Sequence, residues 1–101
     1  MSITMARGEF FGRSVAAGNW GELSLSETRY ARGAFLPWHR HEDAYLTFVL
    51  AGGYRERVQH ETRTCGARSL VVHPAGDTHE DDFAERPSRC LNVVLGASFA
   101  R

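Results

Sequence analysis

The chain reads as short apolar or alternating runs, each closed by glycine, proline or a polar cluster, which is the pattern of strands rather than of helices. Glu9 to Val15 is predicted as a first strand, closed by Ala16-Ala17-Gly18-Asn19. Glu22 to Tyr30 alternates, with Leu23 and Leu25 on one side and Glu22, Ser24 and Ser26 on the other, as in a half-buried strand. Pro37 demotes Phe35 to Trp38 to an edge or lead-in segment, because proline has no N–H to give a ladder. Ala44 to Leu50 is the most apolar run and predicts a central strand, turned at Ala51-Gly52-Gly53. Tyr54 to His60 returns with charges at alternate positions, and Thr62 to Cys65, Ser69 to His73, His79 to Phe83 and Cys90 to Leu95 complete the set. About eight or nine short strands at turn spacings of roughly eight to twelve residues predict a sandwich or barrel. No segment predicts a long amphipathic helix.

Length narrows this to a single domain over residues 1–101, with one core. Hydrophobic residues at 43% suit a packed chain rather than a disordered one. Twelve basic and twelve acidic side chains cancel, and no basic stripe stands out, so direct nucleic-acid binding by this segment is not expected. The start lacks the apolar core of a signal peptide, and no apolar run approaches membrane-spanning length. A cytoplasmic location without membrane contact is the expectation. Cys65 and Cys90 are far apart with no Cys-x-x-Cys spacing, so they read as reduced, buried packing residues.

The candidate chemistry is histidine. His39 and His41 stand two residues apart, and in a strand such positions share a face. His79 follows Pro74-Ala75-Gly76-Asp77-Thr78, a turn able to bring it back over the same spot. Imidazoles converging this way are the donors of an open zinc, nickel or iron site, and ligand type alone does not choose among the three. A metal-free polar pocket, hydrogen-bonded internally or to water, is the competing reading.

The order Gly33-x5-His39-x-His41, apolar strand, Gly52-Gly53, Gly66, then Pro74-x-Gly76-x2-His79 resembles the two motifs of the cupin superfamily. The resemblance covers roughly residues 30 to 95, and it implies an all-β fold, a small double-stranded β-helix or jelly-roll barrel whose mouth the motifs line. Residues 37–54 and 66–79, with Cys90-Leu91-Asn92-Val93, are also similar to the N-terminal sensor domain of AraC-type transcriptional regulators. That narrower resemblance implies a small-molecule effector, a homodimer and a separate DNA-binding module.

Metal-loaded cupins carry a glutamate four residues after the second histidine, where this chain has Tyr45. A phenol is a poorer ligand than a carboxylate at neutral pH. Tyr45 and Asp43 share the strand phase of His39 and His41 and are candidate pocket residues; Asp43 is a possible replacement oxygen donor. Trp38 is placed at the pocket rim, and His73, before Pro74, is a further pocket candidate. His60 reads as solvated. The preferred expectation is a metal- or effector-binding sensor, leaning away from an enzyme. The alternative is a small metal-dependent cupin enzyme of oxygenase or isomerase type.

Overall fold

The computed structural model describes residues 3–6 and 10–96, and its elements are all strands: β1 Ile3–Met5, β2 Arg13–Trp20, β3 Leu23–Tyr30, β4 Phe35–His41, β5 Tyr45–Ala51, β6 Gly53–Val58, β7 Glu61–Gly66, β8 Leu70–His73, β9 His79–Asp82 and β10 Ser88–Leu95. They form two five-stranded sheets, ordered β1-β4-β9-β6-β7 and β2-β3-β10-β5-β8. The two sheets face each other as a jelly-roll barrel, the architecture the motifs imply. Among the described residues no helix is long and apolar enough to cross a membrane.

Most predicted strands lie within a residue or two of their observed bounds, and two expectations change. Ala16 to Asn19 belong to β2 rather than to a turn, and the chain reverses instead at Gly21, whose φ is +57°. Glu9, the start of the predicted first strand, lies outside the described residues. Phe35 to Trp38 belong to β4 rather than leading into it, and they lie at an edge as expected, since β9 pairs with Phe35 and Leu36 and no strand among the described residues pairs on their other side. Pro37 is accommodated because the β4–β9 ladder shifts register between Leu36 and His39, and β1 pairs with β4 only from His39 onward.

The β5–β6 reversal requires glycine. Gly52 has φ +82°, and a Cβ there would run into the backbone of Pro87 and Ser88. That close approach lets the Ser88 hydroxyl accept from Gly53 N and donate to Gly53 O, both at 2.9 Å, tying the turn to the start of β10.

The interior has two layers. At one end Tyr30, Leu36, Val49, Tyr54, Val71 and Phe83 form an apolar plug, with Phe83 stacked on Tyr30 at 4.3 Å. Cys65 and Cys90 join it as free thiols, and burial pushes them up to about 11 and about 12, which suits packing and not redox chemistry. At the other end the interior is polar, and the histidines stand there.

Candidate metal centre

Strand pairing assembles the site. His39 of β4 is the register partner of His79 of β9, so the two imidazoles share the inner face, with ring centroids 4.3 Å apart. His41 follows two residues on, 5.2 Å from His39 and 6.0 Å from His79. The turn before His79 is pinned by Gly76 N donating to His41 O at 2.9 Å, with Gly76 at φ +79°. The donor atoms of His39, His41 and His79 all lie within 4.8 Å of one another.

Two features prepare these rings for a cation. His39 Nδ1 lies 2.8 Å from Pro37 O, a contact that places the ring proton on Nδ1 and leaves Nε2 as the free donor. Burial lowers the pKa of all three: His41 and His79 fall to about 3, and His39 falls despite the Pro37 carbonyl. They are therefore neutral at physiological pH, the state a metal needs.

A second group adjoins the first. Tyr45 pairs with His73 across β5 and β8, and the two rings stack at 4.2 Å. The Tyr45 hydroxyl lies 3.2 Å from His79 Nε2. His73 Nε2 lies 2.8 Å from Glu56 Oε1, and Glu56, His73 and His79 form another set of donors within 4.8 Å. Glu56 is fully buried on β6, in register with Arg63 on one side and Asp81 on the other. Burial alone would raise its pKa, but hydrogen bonding and charge from His73 hold it below the usual carboxylate range. Arg63 Nε donates to its Oε2 at 2.8 Å, and Nη2 donates to the same oxygen. Asp81, buried beside Glu56, is pushed well above the usual range and keeps its proton, so the pair carries one negative charge. His73 Nδ1 and Asp81 Oδ1 have no partner among the described residues. His39, His41, Tyr45, His73, Asp81 and Asn92 line a cavity of about 20 Å³, room for one water or ion. Phe10 and Phe11 cover it, 4.9 Å from His41 and 5.0 Å from His39 respectively.

The structure sorts the sequence candidates. His39, His41, His79, Tyr45 and His73 converge. Trp38 does not: it faces outward and takes the Arg57 guanidinium over its ring at 5.6 Å, because as the strand neighbour of His39 it points to the opposite face. Asp43 is also outside the group, since β4 ends at His41 and residues 42–43 bend, so strand phase no longer applies there. His60 is exposed, as read. Sequence reasoning missed Glu56 and Asp81. The available signal was phase: Glu56 alternates inward with Tyr54, and Asp81 with His79 and Phe83.

These buried rings carry a prediction for the metal-free protein. His41 and His79 are neutral in the fold down to about pH 3 but titrate near pH 6.5 when unfolded. Between those values the unfolded chain binds more protons, so stability falls as pH drops below 6.5. Asp81 works oppositely, because its folded form already holds a proton, but two histidines outweigh it. Stability is expected to fall by on the order of 3 kcal/mol from about pH 6.5 to about pH 4.5. Urea unfolding at both values measures this, and equal midpoints would contradict neutral buried rings.

No family model and no curated protein matches the chain. Solved structures do. The DMSP lyase DddQ from Ruegeria pomeroyi superposes with a TM-score of 0.70 at 27% identity, covering 75% of this chain. This chain spans only 39% of DddQ. A cupin superfamily protein from Desulfitobacterium hafniense matches with a TM-score of 0.73 at 16% identity, covering 82% of this chain and 75% of that one. A Rhizobium leguminosarum protein of unknown function reaches 0.76 at 24% identity, covering 89% and 86%. Fold and site together define a metal-binding β-barrel domain. Its fold is the cupin-like jelly-roll barrel that these structures share.

The leaning away from an enzyme is corrected. It rested on Tyr45 taking the place of a carboxylate, yet two three-donor sets form without that carboxylate, Glu56 brings one in from β6, and a lyase is among the matched structures. None of these three matches links the chain to the sensor domains of AraC-type regulators.

Proposed function

We propose that this chain is a small metal-dependent cupin enzyme of the lyase or isomerase type, acting on a small, oxygen-rich substrate. The observation that supports it is the convergence of three neutral, buried imidazoles from two distant segments beside the hydroxyl of Tyr45. His39, His41 and His79 would hold a divalent zinc, nickel or iron ion, whose chemistry when bound is that of a Lewis acid toward a substrate oxygen. Tyr45 Oη lies beside this set, and burial keeps its proton on, so it is placed to give a proton at the substrate. Glu56, locked by Arg63, fixes His73, and stacking on His73 fixes the Tyr45 ring. Phe10 and Phe11 exclude water from above. The regulator-sensor reading rests on sequence resemblance alone and ranks second for that reason.

The test is metal analysis of protein purified without added metal, coupled to turnover assays on small carboxylates, beginning with DMSP, the compound in the matched lyase's name. Expected is close to one divalent ion per chain, with turnover lost on chelation and restored by that ion. Failure to retain zinc, nickel or iron(II) after reconstitution would overturn the proposal, as would full occupancy without turnover of any carboxylate assayed.

A further inference from the structure

The outer face of β6, β7 and β9 carries a gap at the end nearest the β5–β6 reversal. Strand phase sets its layout. Tyr54 and Cys65 point into the apolar plug, so Gly53, Arg55, Thr64 and Gly66 share the opposite face. Asp82, Arg55 and Thr64 form one register row across the three strands, all exposed. The next row is Gly53 paired with Gly66, which bears no side chains. The loop after β9, with Ala84, Glu85 and Arg86, closes the remaining side, and the resulting groove holds about 550 Å³. That is the size of a ligand site, whereas the histidine cavity has room for one water or ion.

Neither backbone nor packing demands the glycine at residue 66. Its φ lies outside the left-handed region, and a Cβ there would meet no atom within 4 Å. The missing side chain therefore leaves open space in the groove rather than serving the fold. The walls are fixed. Gly66 O accepts from Ser69 N at 3.1 Å, Phe83 O accepts from Gly33 N and Phe83 N donates to Ala34 O, both at 2.9 Å, and Ala84 N donates to Asp82 Oδ1 at 2.9 Å. With the Ser88 tie to Gly53, every turn around the groove is held, so it is formed before any ligand arrives.

We infer that this groove is a second binding site, outside the barrel interior, for a small zwitterion bearing a carboxylate and an ammonium group. Charge selects the class. Arg55 and Arg86 line the groove with Asp82 and Glu85, two positive and two negative side chains. Among the described residues Arg55, Arg86 and Glu85 have no hydrogen bond or ion pair, and Asp82 spends one oxygen on its own turn. A simple anion or a simple cation would meet as much repulsion as attraction there. A molecule with both charges sets its carboxylate on a guanidinium, in the forked pairing arginine favours, and its ammonium on Glu85. The bare glycine row admits the body of such a molecule against the strands, and Ala67 and Ala84 leave room for a short aliphatic side chain. None of His39, His41 and His79 lines the groove, so this site stands or falls apart from the metal centre.

L-leucine is a suitable probe, followed by backbone amide NMR shifts. It should shift the amides of Gly53, Gly66 and Ala67 saturably. Isocaproate lacks the ammonium and isoamylamine lacks the carboxylate, and each should bind at least about 10-fold more weakly, the equivalent of one lost charged hydrogen bond. Gly66→Leu fills the gap without backbone strain and should abolish the shifts while leaving metal content unchanged. Arg55→Gln should weaken leucine binding by about 10-fold, and it carries the test alone if Gly66→Leu does not fold. Absence of a saturable shift, shifts confined to the strands around the histidines, or equal affinity for leucine and either analogue overturns the inference. So does wild-type affinity in a folded Gly66→Leu or in Arg55→Gln.

Discussion

Replacing His39 and His79 together with alanine is expected to abolish stoichiometric metal binding and, with it, turnover. The two rings are register partners on adjacent strands, so both lie on the inner face whatever their rotamers, and they supply two of three mutually close donors. Loss of a partner that merely orients a ligand already costs about 10- to 100-fold in affinity. Removing two ligands should therefore lower affinity well beyond about 100-fold. Elemental analysis after dialysis against a weak chelator measures the effect, and circular dichroism confirms that the barrel persists. Trp38→Ala is the matched control, because Trp38 sits outside the barrel against Arg57 and should not alter metal content. Retention of a full equivalent by the double variant would remove the assignment of these ligands.

The second large effect is on stability and falls on Glu56. Its carboxylate is completely buried and satisfied by Arg63 and His73, with Asp81 sharing the remaining proton. Glu56→Ala would leave a half-exposed guanidinium pointing into the barrel wall and would remove the partner of His73 Nε2. Removing this acceptor should cost about 1–3 kcal/mol, because the buried His73 nitrogen is left unpaired while water solvates much of the guanidinium. Chemical denaturation should register a loss of that size. Glu56→Gln, which keeps the shape and one acceptor, should lose less. A cost below about 1 kcal/mol for the alanine variant would show that water replaces the carboxylate without penalty.

Local signals in the chain specify a great deal. Glycine at residues 52 and 76 marks reversals that demand positive φ, and the short apolar runs at 45–50 and 90–95, bounded by turn residues, mark strands, because both signals act within a few residues. The His39–x–His41 spacing likewise determines a shared face, since strand periodicity is two. Phase reasoning failed where the backbone ceased to be regular, at the bend that removes Asp43; adjacency to His39 places Trp38 at the rim, although strand phase turns it outward. At Leu23 and Leu25 alternation shows that the two faces of the strand differ but not which one is inside, and the buried side is that of Ser26, Thr28 and Tyr30. Only the closing of two sheets decided that. Pairing β6 with β9 sets Glu56 beside Asp81 and His79, and pairing β5 with β8 stacks Tyr45 on His73, contacts between residues 23 to 28 positions apart that no local pattern encodes. The donors are written in the chain, while their charge states and partners come from burial, which exists only once the barrel has closed.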